Sequence, residues 1–531
     1  MSDERVKYLS SRLDTLVDKR LPYEPYWNKA AEMCAERSKI YIKETDGRIV
    51  QKLFDSTAIS ALTYFCSSLK SIIAPSNQIY QRIKSSDPDL EKSGKVRAFL
   101  EYVNNMIFKF RYAARSNFSA ESDIMFRQIG IYGQSPWMIE EDVGRGIFYK
   151  TIPMDEVYCD VNRTGKVDVV YRMYEMTAAD AIKQFGNKAT ARIKERFDKN
   201  PSSKIRFLHA IEPRQDINLR KKDYSSFAFA SYHVNLDDKE FIYESGYRTQ
   251  PIVVPHFEPS AGEAYGNSPA LKAFNDLLTI NEMGKTVLRV GQLQANPALL
   301  ASSNMQNAQR AGIAGAVVYG GLDTQGKPLV VPMQYGNNLS ITVEMQNLIR
   351  QSIEAAFLKP LFLSLTQDKQ MTAEEARKRD AEKAQILAPM AERISSEWLV
   401  GTVEREIDII RAYGYFDDVP DELYSDGALK IEFESGVTHL QRAGEIQGLF
   451  ETLESAISMS QVDSSILDRI DFDAALKVIA DYKGVPSAVL RTDEQLQQLG
   501  EARAQAEQAK ALLEAAPVLT QSMKNLKDAG V

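Results

Sequence analysis

Each residue pattern in this chain that suggests chemistry lacks one requirement of that chemistry. Met283-Gly284-Lys285-Thr286 ends like a phosphate-binding loop, but such a loop needs another glycine five residues earlier, and position 279 is Thr. The segment also lies within a helix-period run, so nucleotide binding is not expected. Gly266-Asn267-Ser268-Pro269-Ala270 lacks the glycine that a nucleophile elbow places two residues after its serine. Ser268 reads instead as a helix cap, with Pro269 at the first helical position. Asp160-Val-Asn162-Arg-Thr164-Gly165 begins like a calcium loop, yet its twelfth position is Tyr171 where calcium takes a bidentate Glu. Asn162 and Gly165 between two strand-like runs are turn chemistry. His209, His233, His256 and His439 are too far apart for a helical zinc pair, and Cys34, Cys66 and Cys159 form neither a C-x-x-C pair nor a disulfide framework. No catalytic residue, cofactor or metal is expected.

The apolar periods say which elements carry these segments. Val6, Leu9, Leu13, Leu16 and Val17 keep helical spacing until Pro22 and Pro25 interrupt, and a second helix starts near Tyr26. Asp55-Ser56-Thr57 caps a helix whose Ile59, Leu62, Phe65, Leu69 and Ile72 recur every three or four residues until Ala74-Pro75. Amphipathic runs over 95–111 and 118–131 make the first 130 residues mainly helical. Between Ser135 and Phe257, β-branched and aromatic runs such as 168–174 predict strands.

A long helix opens at Ser268-Pro269 and runs to about Gln294, where Asn296-Pro297 ends it. A Gly-, Asn-, Gln- and Pro-rich stretch follows, with strand candidates at 316–319 and 329–331, and then a second helix over 339–358. Gly284 and Gly291, seven apart on the first of these helices, share a face that another helix can approach closely; a hinge is the other reading. Lys359-Pro360 breaks the second helix, and a loop leads to Thr372-Ala-Glu374-Glu375, a cap with acids in the first turn. The helix it opens reaches Tyr413 and should kink at Pro389. From His439 onward the chain reads as a separate helical unit with a capping box at 492–495. The chain as a whole is expected to be α+β and mainly helical.

At 531 residues the chain is too long for one core, so three or four units of ordinary domain size are expected. Apolar residues at 44% and charged residues at 26% describe a folded globular protein. With 65 Lys plus Arg against 72 Asp plus Glu, the net charge of −7 argues against a protein that wraps nucleic acid by neutralising phosphates. The first twenty residues have no apolar core, and no stretch reaches the about 18 apolar residues that a membrane span requires. The reading is a cytoplasmically made protein with no membrane segment.

Two motifs carry a family resemblance: Glu263-Ala-Tyr265-Gly266-Asn-Ser268-Pro269 before the first long helix, and Gln370-Met-Thr372-Ala-Glu374-Glu375-Ala-Arg377 opening the longest one. Leu21-Pro-Tyr23-Glu24-Pro-Tyr26, the 155–171 hairpin, and the order helix, small insertion, helix, loop, long helix support them. In this the chain resembles, over almost its full length, the head-to-tail connecting or portal proteins of short-tailed bacteriophages. The resemblance implies a ring-forming portal fold: wing 1–266, stem helices 267–294 and 339–358, clip 295–338, tunnel loop 359–371, long channel helix and end of wing 372–437, and helical crown 438–531. It also implies a dodecameric homo-oligomer at one capsid vertex, assembled in the bacterial cytoplasm and retained in the virion. Double-stranded DNA would pass through it without sequence specificity. The implied partners are a terminase packaging motor, tail adaptor proteins, and the major capsid and scaffolding proteins.

A closed ring needs two different patches per subunit that fit each other, which long rigid helices can supply. A conduit lined with many cations would hold DNA fast, so a net-acidic subunit suits passage. Lys359 and Lys369, if the tunnel loop faces inward, would be sparse cationic contacts to phosphate; the other reading is two surface lysines with no DNA role. Two rival functions remain. A nucleic-acid-processing enzyme needs clustered carboxylates or a phosphate loop, and neither occurs at suitable spacing. A non-channel structural adaptor or scaffold of the virion would stay monomeric or form small symmetric oligomers.

Overall fold

The computed structural model describes residues 2–34, 53–301 apart from gaps of one or two positions, 322–333, 339–363, 385–416, 429–433, 436–461 and 464–482, with isolated positions elsewhere. Helices α1 (Ser2–Arg20), α2 (Glu24–Met33) and α3 (Thr57–Ile73) lead to strand β1 (Gln81–Ser85), then α4 (Gly94–Arg111) and α5 (Phe118–Tyr132). Strands β2 (Trp137–Asp142), β3 (Gly146–Thr151), β4 (Val157–Val161) and β5 (Val167–Thr177) follow. Next come α6 (Ala178–Phe185), α7 (Ala191–Lys199), β6 (Lys204–Pro213), β7 (Phe229–Asn235), β8 (Glu240–Tyr247) and β9 (Ile252–Val253). The helical half contains α8 (Pro269–Lys272), α9 (Phe274–Ala295), the strands β10 (Leu299–Ala301) and β11 (Val330–Pro332), α10 (Leu339–Ala356) and α11 (Lys359–Leu363). It ends with α12 (385–412), β12 (Leu429–Phe433), α13 (Gly436–Ser460) and α14 (Phe472–Tyr482). The fold is mixed α and β and mostly helical.

The chain divides into two compact units where its length suggested three or four. The first, residues 1–80, 107–415 and 433–438, holds a five-stranded antiparallel meander β4-β5-β6-β7-β8 and a three-stranded sheet β3-β2-β9. The 155–171 segment forms the expected hairpin. Its turn is fixed by the Asn162 carboxamide oxygen, which accepts from the amides of Thr164 and Lys166, and by Gly165 at φ 80°. β6 is buried on both faces because each has its own cover. Leu208 and Ala210 face Leu9, Leu13 and Leu16 of α1, while Ile205 and Phe207 face Ala181, Phe185 and Ile193 of α6 and α7. The sequence reading left α6 and α7 unassigned, although a signal was present: Thr177 accepts from the Asp180 amide as a side-chain cap.

His209 and His233 stack 4.2 Å apart on the meander, and His233 stacks on Tyr243 at 4.4 Å. Burial, with the nearby cation Lys188, pushes the His233 imidazole down to about 4 from 6.5, and burial with His233 and Arg172 puts His209 well below its usual range. Both rings are therefore neutral in the fold, and the unfolded chain binds more protons as pH falls from 6.5 toward 4. Stability should be full above about pH 6.5 and decline below it. His233→Phe, at a ring whose Nδ1 has no hydrogen-bond partner, should flatten that decline in thermal melts recorded from pH 7 to 4.5. An unchanged slope would remove the pair as its cause.

The core between the helices and the small sheet is aromatic: Trp398 of α12 stacks on Phe118 and meets Phe126 and Trp137 edge-on, with centroids 5.5–5.7 Å apart. Pro389, where a kink is expected, lies within the helical run of α12. α12 is helical over 385–394, and an irregularity comes as a π turn at Ser395–Leu399, the turn that carries Glu397 and Trp398 into their contacts. The short sheet β10-β11 matches one of the two strand candidates, while 316–319 lies outside the described residues.

The second unit, residues 81–106, 416–432 and 439–531, pairs β1 with β12 and holds most of α4 and α13 and all of α14. Asn104 of α4 fixes β1 to it. Its carboxamide oxygen accepts from the Ile83 amide at 3.0 Å, and its nitrogen donates to the Leu100 carbonyl at 2.9 Å. The capping box at 492–495 lies outside the described residues.

Candidate functional site

Three of the motifs singled out in the sequence meet in the first unit. Ser268 is the cap that the sequence predicts: its hydroxyl accepts from the Leu271 amide at 2.9 Å and donates to the Ile131 carbonyl at 2.8 Å, with Pro269 opening α8. The Gly266 amide donates to the Gln134 carboxamide oxygen. At Gly133, φ is 82° and a Cβ would lie 2.4 Å from the Asn267 carbonyl oxygen, so only glycine fits this crossing. The Tyr265 ring packs against Tyr23 and Trp27 at 5.3 and 5.4 Å, and its hydroxyl accepts from the Cys159 amide. The Tyr23 hydroxyl donates to Glu263 at 2.9 Å.

Arg20 completes this hub. Its guanidinium donates to the carbonyls of Met154, Asp155 and Val157, pairs with Glu24 and lies 3.8 Å over the Tyr158 ring. Residues 20–26, 154–171 and 263–269 are thus tied together although the three segments are far apart in sequence. Beyond the Arg20–Glu24 pair and the Tyr23–Glu263 hydrogen bond, the hub consists of backbone and aromatic contacts. Burial pushes the Cys159 thiol up to about 12, which keeps it protonated and inert.

The helix pair α9 and α10 is fixed to the same unit by Phe54 and Asp55, just before α3. The Phe54 amide donates to Asn281 at 2.8 Å, and Arg350 of α10 pairs with Asp55 at 2.9 Å. Burial works against ionisation of Asp55, but hydrogen bonds from Thr57 and Arg350 hold its carboxyl below the usual range. Gly284 is needed because a Cβ there would lie 3.0 Å from the Phe54 carbonyl oxygen. The close approach comes from this extended segment and not from another helix, and a Cβ on Gly291 would meet nothing within 4 Å. Ser352 donates to Asp276 at 2.7 Å and ties the two helices together. On their outer surface Leu288, Val343, Met345 and Leu348 are exposed.

Lys359 does not lie in a loop. α10 ends at Ala356, Leu358 turns the chain, and Lys359-Pro360 opens α11, since proline suits a first helical turn as well as it stops a preceding helix. The Lys359 ammonium pairs with Glu354, lies 5.4 Å over the Tyr64 ring and is 17% exposed. Lys369, Thr372, Glu374, Glu375 and Arg377 lie outside the described residues. α12 is pinned beyond them. The Glu397 carboxylate accepts from the His256 backbone amide and faces its Nδ1 at 3.0 Å, and Gly401 leaves room for Val253.

Sequence reasoning missed Arg20, Arg350, His256 and Glu397, because each acts on a partner far along the chain and no local period marks it. Among the described residues, no group of three His, Cys, Asp or Glu could hold a metal ion, and no helix is long and apolar enough to cross a membrane.

Residues 6–490 match the family described as bacteriophage head to tail connecting protein. The chain is 24% identical over 514 residues to the probable portal protein of Bordetella phage BPP-1, covering 95% of this chain and 92% of that one. It is also 24% identical over 548 residues to the portal protein of Salmonella phage epsilon15, covering 99% and 96%. With a match spanning nearly the whole chain and motifs that converge on an architectural hub, this protein belongs to the bacteriophage head-to-tail connecting family, structural and non-enzymatic components of the virion.

Proposed function

We propose that twelve copies close into a ring at one capsid vertex, through which double-stranded DNA enters during packaging and leaves during ejection. Residues 1–266 with 372–437 form the wing and long channel helix, 267–294 and 339–358 the stem, 295–338 the clip, 359–371 the tunnel loop, whose first five residues are α11, and 438–531 the crown. The clip docks a terminase first and tail adaptor proteins later, while the wing meets capsid and scaffolding proteins. Assembly takes place in the host cytoplasm.

The observation that carries this reading is the outer surface of the proposed stem. Two long helices locked to each other and to the wing leave large apolar side chains in water, Leu348 at 65% exposure, as a subunit awaiting a neighbour would. The test is native mass spectrometry with negative-stain class averages. Rings of twelve 59.7 kDa subunits with a central hole are expected. A monomer that persists at high concentration with scaffolding protein present would favour a non-channel adaptor.

Lys359 and Lys369 are the proposed cationic contacts to DNA. Replacing both by Ala should alter the DNA content of packaged particles, with Lys369→Ala alone as the variant that leaves the Lys359–Glu354 pair in place. Normal content and ejection in the double variant would exclude them from DNA passage.

A further inference from the structure

Among the described residues three non-glycines take positive φ: Asn117, Lys239 and Leu358. Asn117 precedes α5 and is a residue type that tolerates this region, and Lys239 lies in the β7–β8 turn. Leu358, at φ 58°, is a bulky side chain between two helices. Its amide donates to the Ala355 carbonyl at 3.0 Å, and its own carbonyl accepts from the amides of Leu361 and Phe362 at 3.1 and 3.2 Å. One residue therefore ends α10 and begins α11. A Cβ makes the left-handed conformation unfavourable by roughly tenfold in population, so the surroundings must hold it.

The contacts that hold it come from one turn of α3 and the last turn of α10. Phe357 and Phe362, on either side of Leu358, both set their rings edge-on to Phe65, with centroids at 6.3 and 6.5 Å. Lys359 pairs with Glu354 and lies over the ring of Tyr64, the residue before Phe65. α11 has five residues, too few to persist as a helix without docking. A strained backbone, over-determined by neighbouring contacts and adjoining a marginal element, is the arrangement found where a fold has two states.

We propose that Leu358 is a sprung turn. Phe362 and Lys359, docked on Phe65, Tyr64 and Glu354, hold it left-handed; when they release, it relaxes to the right-handed region. In the relaxed state α11 is undocked, and its five residues, without their contacts on α3, no longer persist as a helix. Continuation of α10 through these residues as one helix is excluded, because Pro360 in its interior would cost more than the strain relieved. A change in one residue's backbone thus decides whether residues 359–363 stay docked on α3.

Hydrogen exchange by mass spectrometry on the full-length protein tests this with Leu358→Gly, Leu358→Ala and Phe362→Ala. Glycine and alanine remove the same side chain except for Cβ, so their difference reads the backbone alone. The glycine variant should protect residues 357–363 about tenfold more than the alanine variant, the reverse of the order in a helix interior, where alanine is the better residue. Phe362→Ala should speed exchange over 359–363 and leave the middle of α10 as in the wild type. Equal protection in the two Leu358 variants, or greater protection in alanine, would show an unstrained helix end. Loss of α10 protection together with α11 in Phe362→Ala would show that no separate two-state element exists.

Discussion

Changing Glu406→Gln should destabilise the first unit by about 3–5 kcal/mol, although side-chain volume hardly changes. Glu406 and Arg111 form an ion pair with both side chains at 0% exposure. The Arg111 Nε donates to one carboxylate oxygen at 2.9 Å and its Nη2 to the other, while an Nη1 proton goes to the Tyr80 hydroxyl at 2.8 Å. Tyr149 donates to the same carboxylate, and Tyr112 donates to Tyr80. Burial drives the Tyr80 and Tyr149 hydroxyls well above their usual range and keeps them protonated. Burial disfavours the guanidinium, but the facing Glu406 holds its proton more tightly than usual. Removing the carboxylate charge leaves that guanidinium in a dry interior with no counter-charge, and the desolvation already incurred is no longer offset. Replacing both partners by apolar residues, Arg111→Met with Glu406→Leu, removes that penalty and should recover most of the loss. Scanning calorimetry on the wild type, Glu406→Gln, Arg111→Met and the double variant separates the cases. A Glu406→Gln transition indistinguishable from wild type, or a double variant no better than the singles, would show that the pair contributes little.

That pair also marks the limit of what the sequence discloses. Arg111 and Glu406 are 295 positions apart, each near the end of an amphipathic helix where a charge normally meets water. Nothing local distinguishes them from Arg97 or Glu404. The same holds for Arg20, whose three carbonyl partners lie more than 130 residues away. Features with a local cause were legible: Ser268 and Asp55 as helix starts, the turn at Asn162 and Gly165, and the 3.6-residue stripe of α1 that covers the meander. At Gly284 the near neighbour within the subunit is the Phe54 segment; a missing side chain says that something comes near and not what it is. Lys359-Pro360 was ambiguous in the same way. Proline ends one helix and starts another with the same ring, and only the left-handed Leu358 settles where the boundary falls.

Leu348→Glu should abolish the ring and leave the subunit folded, and this combination is what makes it informative. In the isolated subunit Leu348 is 65% exposed and Met345, one turn earlier on α10, is 52% exposed. A carboxylate at position 348 therefore stays hydrated in the monomer, and the substitution should move the melting transition by no more than a surface change does, within about 0.5 kcal/mol. In a closed ring the proposed stem surface meets a neighbour, so the same carboxylate would be buried without a partner at every interface. That costs several kcal/mol per contact, repeated around the ring because one patch on each subunit faces a different patch on the next. Leu348→Ala provides the graded case: it removes apolar area without adding charge and should weaken assembly while rings remain at high concentration. Native mass spectrometry reads the oligomer, and thermal melts of the monomeric fraction read the fold. Rings of unchanged stability in Leu348→Glu would place the subunit interface away from this face of α10 while leaving the family assignment intact. A collapse of the melting transition would show instead that Leu348 supports the subunit's own fold, and its exposure would no longer argue for a neighbour.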